Sequence, residues 1–269
     1  MALNSEEVRA YYDTRSLDKI KNYVFGNARV ESAKNALFSG MPENPIRVFE
    51  IGCGIGYIGY EIVQLHPNCL VTAFDISKKS VEIARKLFPH PNIEYLQADR
   101  LQALSIPDGL QYDMIFMMDV FEHIPVEERQ ALFTFIKNKL SVHGRIFLSC
   151  PTPAFLQWLK KEQPHTIQPI DENIDLVEIL DLITATETYL IYYKLMNIWH
   201  QGDYFHALLT KQVFKPKKTL KVVVSSTFVM KVLRKISVIF AKNRRSSNYA
   251  KELIKQRKDL VEQKLQIQL

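Results

Sequence analysis

Four of the chain's nine glycines fall within eight positions, Gly52 to Gly59, in the stretch VFEIGCGIGYIG from Val48 to Gly59. Glycine weakens helices and strands alike, so a cluster of this density marks backbone that turns sharply or that something must approach closely. The run ahead of it, IRVFEI, is short, apolar and of strand type. The run behind it, YIGYEIVQLHP, has helical spacing and stops at Pro67. A strand, a glycine turn and a helix in this order open an α/β unit.

The same alternation continues. CLVTAFDI is a second strand ending in Asp75, and SKKSVEIARKLFP is a helix capped by Ser77. NIEYLQAD is a third strand. YDMIFMMDV, nearly all apolar, has the composition of a central strand covered on both faces. PVEERQALFTFIKNKL reads as a helix with Pro125 near its start, and GRIFLSC as a fifth strand. Residues 172–186 read as a further helix. TYLIYYKLM and DYFHALLTK are two more strands, joined by NIWHQGD, too short a link for anything but an antiparallel pair. The expected fold is therefore α/β: a Rossmann-like seven-stranded sheet, mostly parallel with an antiparallel last strand and helices on both faces. Residues 5–38 read as helical and amphipathic, with Val24, Ala28, Ala36 and Leu37 turned inward, before MPENP breaks the chain. The expected divisions are cap helices over 1–45, the sheet domain over 46–215 and a basic helical extension over 216–269.

With 269 residues, 47% of them hydrophobic, the chain has ample material for one full core and an appendage. Its three cysteines, Cys53, Cys69 and Cys150, form no paired framework, so a reducing, cytoplasmic setting is expected. The polar start MALNSEEVRAYYD has no apolar signal core, and no stretch is long and apolar enough to span a bilayer. The net charge of +6 hides an asymmetry. Between Lys211 and Lys264 there are 16 Lys and Arg against 3 Asp and Glu; the remainder carries 19 against 26. The body offers no basic groove, and no nucleic-acid partner is expected. An anionic partner would meet the tail. There, SSTFVMKVLRKISVIF has one apolar helical stripe with Lys231, Arg234 and Lys235 off it. Such a helix suits either a membrane surface or a protein partner, so a peripheral position at the inner face of a membrane is the alternative to a free cytoplasmic one.

In an open α/β sheet the ligand site lies at the carboxyl ends of the strands, where the glycine loop falls. Two ligands fit that loop. Gly54-x-Gly56-x-x-Gly59 has the spacing of a dinucleotide fingerprint. Gly52-x-Gly54-x-Gly56 with Glu50 before it has that of an S-adenosylmethionine loop. Asp75 suits a ribose in either ligand, and Asp99 an adenine amine. Glu50 discriminates better. A carboxylate two residues before the first glycine favours a cationic group and repels a pyrophosphate.

Taken in order, FEIGCGIG, FDIS, LQAD and YDMIFMMDVFEHIP resemble the successive motifs of class I S-adenosylmethionine-dependent methyltransferases, over about residues 25–211. DVFEHIP is most similar to the branch that contains ubiquinone-biosynthesis O-methyltransferases. The resemblance implies a cofactor held by Glu50, Gly52, Gly54 and Gly56 at its methionine part, by Asp75 at the ribose, by Asp99 at the adenine and by Asp119 at its amino-acid end. Arg29 or Arg15 would pair with its carboxylate. It also implies methyl transfer to an oxygen of a small polar acceptor such as a sugar or glycan precursor. His123 is the expected base, oriented by Glu122. Trp199, His200 and Asp203 of the last hairpin are the expected acceptor contacts, aromatic faces beside a hydroxyl-binding acid. His165 falls in a loop suited to a lid. No metal is expected: the acid-x-x-Glu-His cluster begins at Asp119, with no second acidic pair. The rivals are nitrogen or carbon methylation, an NAD-dependent oxidoreductase on the same loop, and a non-enzymatic binding module acting through its tail.

Overall fold

In the computed structural model, residues 5–212 and 249–269 are described. They fall into two compact units, Met1–Gln212 and Val213–Leu269. The first holds one seven-stranded sheet in the order β3-β2-β1-β4-β5-β7-β6. Its strands are β1 (Arg47–Ile51), β2 (Leu70–Asp75), β3 (Ile93–Gln97), β4 (Tyr112–Met118), β5 (Leu140–Pro151), β6 (Tyr189–Met196) and β7 (Tyr204–Thr210). The first five run parallel. β7 lies antiparallel between β5 and β6, as the short NIWHQGD link requires.

The apolar composition of β4 follows from its place: it is paired on one side with β1 and on the other with β5, and its residues Met114 to Met117 are buried. One face of the sheet is covered by α6 (Val126–Lys139) and α8 (Leu176–Thr186). Leu132, Phe133, Ile136, Ile179 and Leu182 pack there with Phe49, Ile51, Ile115, Met117 and Leu148. Against the other face lie α3 (Ala28–Gly40), α4 (Tyr57–Leu65) and α5 (Lys78–Leu87), whose buried residues include Leu37, Ile62, Val63, Val81 and Ala84.

Local chemistry sets the element ends. Ser77 caps α5, its hydroxyl oxygen accepting from the Ser80 N–H at 3.0 Å. The helix expected from 172 begins at Leu176, because Asp175 and Glu178 form a reciprocal capping box there. The expected N-terminal helical stretch divides into three: α1 (Ser5–Thr14), α2 (Ser16–Phe25) and α3. Gly26, at φ 84°, ends α2, and Asn27 caps α3 through its side-chain oxygen. This break corrects one expectation. Val24 and Leu37 are buried, but Ala28, the first residue of a new helix, is exposed. Between β5 and α8 lies α7 (Pro153–Glu162), capped by Thr152.

In the second unit a helix runs over 249–265. The apolar stripe expected in SSTFVMKVLRKISVIF lies outside the described residues. Among the described residues no helix is long and apolar enough to cross a membrane.

Candidate active site

A cleft of about 700 Å³ opens at the carboxyl ends of β1, β2 and β4, within the usual size range of a small-molecule site. The loop after β1 forms its floor. Gly52 and Gly56 have φ of 78° and 82°, where a side chain would be strained. A Cβ on Gly52 would run into Val120, and one on Gly56 would come 2.5 Å from the Tyr95 ring. Both glycines are thus required by the turn and by close packing, and Gly52 and Gly54 bring their backbone to the cleft lining.

Glu50 lines the cleft and is only 3% exposed. Its Oε2 accepts from the Gly59 N–H at 3.1 Å. Burial pushes its carboxyl up to about 8, against the pull of that bond. Gly59 explains itself here: a Cβ would approach Glu50 Oε2 to 2.9 Å. The third glycine of the apparent dinucleotide fingerprint therefore makes room for an acid, and its N–H is already taken. That arrangement suits a cation, which would favour the ionised carboxylate, and leaves no free Gly59 N–H for a pyrophosphate.

Asp75 braces the loop, its Oδ2 accepting from Gly54 N–H at 2.7 Å and its Oδ1 from Ser77 N–H at 2.8 Å. Asp99 also lines the cleft and pairs with Arg9 of α1 at 2.8 Å. Asp119 follows β4 with φ 56° and pairs with Arg29 at 3.2 Å; Arg29 also donates to the Tyr204 hydroxyl at 3.3 Å. Burial raises the Asp119 carboxyl, Arg29 opposing it. Asp119 Oδ1 is buried without a partner, as is the Tyr12 hydroxyl of α1, and both residues line the cleft. Arg15 lines the cleft too, but pairs with Asp18 at its exposed edge.

His123 sits in a short 3-10 turn, Phe121–His123, on the cleft wall. Its Nδ1 lies 2.7 Å from the Ile170 carbonyl and 3.1 Å from Asp171 Oδ1. Both are acceptors, so Nδ1 carries the proton. Nε2 is then the basic nitrogen, and it faces the Gln168 side-chain amide at 3.0 Å. Burial alone would lower this histidine, but Glu122 and Asp171 outweigh it and hold its pKa above the ordinary value. The orienting acid is Asp171 rather than Glu122, which corrects the sequence expectation. Glu122 is on the Nε2 side, its Oε1 3.8 Å away, and burial pushes it up to about 7. Asp171 and Gln168 lie some 45 residues beyond His123, in a segment between α7 and α8 without regular spacing. No motif in the sequence points to them.

The hairpin residues are a second correction. Trp199, His200 and Asp203 do not line the cleft. Asp203 holds the β6–β7 turn: its carboxylate accepts from the N–H groups of Ile198, Trp199 and His200 at 2.9, 2.8 and 3.0 Å. Those bonds outweigh its burial and keep its pKa below the ordinary value. His200 packs on Trp158 and Phe155, and Trp199 on Tyr204. His165 also lies outside the cleft lining, although Thr166, Gln168 and Ile170 of the same loop belong to it. Among the described residues no group of three His, Cys, Asp or Glu is placed to hold a metal ion.

Residues 48–144 match the family model of a methyltransferase domain. The chain is 30% identical over 99 residues to a malonyl-[acyl-carrier protein] O-methyltransferase of Halalkalibacterium halodurans, covering 35% of this chain and 36% of that protein. It is 32% identical over 108 residues to a ubiquinone biosynthesis O-methyltransferase of Glaesserella parasuis, covering 38% and 44%. The matched stretch thus spans less than half of these relatives' length. In fold the chain is similar to the magnesium protoporphyrin IX methyltransferase of Synechocystis, solved with bound SAH. The TM-score is 0.57 at 19% identity, over 77% of this chain and 99% of that one.

Proposed function

We propose, on the premise that this chain belongs to the class I S-adenosylmethionine-dependent methyltransferases, that it transfers a methyl group to an oxygen of a small polar acceptor. The observation that carries this reading is the bare loop between Glu50 and Gly59, with its buried, readily neutral carboxyl, opening into the same cleft as an oriented histidine. The residues fit the cofactor. Glu50, Gly52, Gly54 and Gly56 would hold its methionine part, Asp75 the ribose and Asp99 the adenine. Asp119 and Arg29 would meet its amino-acid end, with Asp119 Oδ1 still unpartnered. The cofactor supplies an electrophilic methyl group on a sulfonium.

The chain's own contribution is positioning and proton removal. An alcohol is a weak nucleophile at neutral pH, and a base that takes its proton as the new bond forms contributes about 10²–10⁴-fold. His123 is that base. Asp171 and the Ile170 carbonyl fix its Nδ1–H, leaving Nε2 to accept the proton. The Gln168 amide marks where an acceptor hydroxyl would hydrogen-bond. Holding that hydroxyl in place removes much of the entropic barrier. Small hydroxylated metabolites are the acceptor class; the sugar reading loses its footing with Trp199, His200 and Asp203 outside the cleft. The position of DVFEHIP supports the ubiquinone-type branch.

The surplus of basic residues between Lys211 and Lys264 supports an anionic contact for the tail, either a lipid surface or an acidic protein face. Sedimentation with anionic against neutral vesicles separates the two.

The test is a screen of hydroxylated metabolites with methyl-labelled S-adenosylmethionine, His123→Ala serving as control. The expected outcome is label on an oxygen of one acceptor class. Label on nitrogen or carbon, or saturation of the cleft by a nicotinamide nucleotide with no response to S-adenosylhomocysteine, would overturn the reading.

A further inference from the structure

Among the cap residues that line the cleft, Lys19 lies directly over the glycine loop. It projects from α2, and its stem runs over Gly54. A Cβ built on that glycine would lie 3.2 Å from Lys19 Cδ and 3.6 Å from both Cε and Nζ. The ammonium is 3.8 Å from Asp75 Oδ2 and 3.2 Å from the Ser80 hydroxyl, and it stands 5.8 Å from the centroid of the Tyr12 ring. The neighbouring links of the cap converge on the same strand ends. Arg9 pairs with Asp99, and Asp13 accepts from the Ser77 hydroxyl at 2.6 Å and from the Lys79 N–H at 3.1 Å.

A cofactor whose ribose meets Asp75 and whose methionine part meets Gly54 needs the places that the Lys19 ammonium and stem now take. We propose that Lys19 is a displaceable occupant of the cofactor seat: a cation that covers Gly54 and holds Asp75, and that yields both to the cofactor. The inference rests on reading the glycine loop and Asp75 as cofactor-binding. Its physical basis is a side chain that lies over Gly54 and pairs with Asp75, the two groups the cofactor would take, in a pair weak enough to be exchanged. The pair is long, at 3.8 Å, with Lys19 29% exposed and Asp75 7%, so its attraction is weakened by distance and partly screened from the Lys19 side. Exchange therefore alters affinity by a few-fold.

The test is calorimetric titration of the full chain with S-adenosylhomocysteine, comparing wild type with Lys19→Ala, Lys19→Met and Lys19→Arg. Circular dichroism melts report whether each variant is folded. Removing the side chain is expected to tighten binding by about fivefold. Lys19→Met, which keeps the stem without the charge, should fall between Lys19→Ala and wild type, and Lys19→Arg should bind as wild type does. Raising KCl from about 50 to about 500 mM, which screens the Lys19–Asp75 pair, should tighten binding by the wild type and leave Lys19→Ala flat. A folded Lys19→Ala chain that binds equally or more weakly overturns the inference while leaving the cofactor reading intact. No heat from any of the four chains overturns both.

Discussion

Burial pushes the Glu50 carboxyl up to about 8, where it is half ionised, against 4.5 for an ordinary glutamate. Its folded value is raised, so the stability it contributes is fully present below 4.5 and is lost as pH rises to about 8. A cation bound beside it favours the ionised form. Cofactor binding should then release up to one proton across that window and strengthen as pH rises through it. Calorimetry in buffers of different ionisation heat reads the proton count, and Glu50→Gln should reduce it to near zero. The His123 pair makes a second prediction. Turnover should fall as pH drops through a value above 6.5, because the neutral imidazole is the working form. Asp171→Asn and His123→Ala should each lower kcat by about 10²-fold or more while leaving S-adenosylhomocysteine affinity within about threefold. Unchanged turnover in either variant would remove that residue from the proton path. Glu50 and His123 were legible in the sequence because each sits at a fixed distance from a motif. Asp171 and Lys19 were not, because only folding brings them to those motifs. Trp199, His200 and Asp203 misled because a turn-holding acid and a surface aromatic cluster have the same composition as a sugar platform.

At the scale of elements, the loop and the cap helices share a few joints. Gly56→Ala forces a residue with φ 82° and an added carbon into contact with Tyr95, and should cost about 1–3 kcal/mol by urea unfolding. Ser77 is another such joint. One hydroxyl caps α5 and donates to Asp13 of α1. Ser77→Ala should cost about 1–2 kcal/mol and, beyond that, speed amide exchange across α1, read by mass spectrometry. A loss of stability without faster exchange in α1 would confine Ser77 to its cap. The alternation of strands and helices was plain from apolar runs and their period. The N-terminal helices were less so, because the breaks at Thr14 and Gly26 interrupt a pattern that otherwise stays amphipathic.

At the scale of the whole molecule, the sheet and its cleft belong to the compact unit that ends at Gln212. A chain ending there should bind S-adenosylhomocysteine within about threefold of the full chain and lose any affinity for anionic vesicles. A large loss of cofactor affinity would show that the tail completes the site. The amino-acid sequence by itself determined the succession of strands and helices, the antiparallel end of the sheet, the glycine turn and the acids at the strand ends. Each of these follows from local period, local turn chemistry and short links between neighbours. Tertiary structure alone decided which acid orients His123, which cation covers Gly54, and that the hairpin acid serves its own turn. Those relations join residues from 3 to 48 positions apart, and the direction a side chain takes is set by packing in each case.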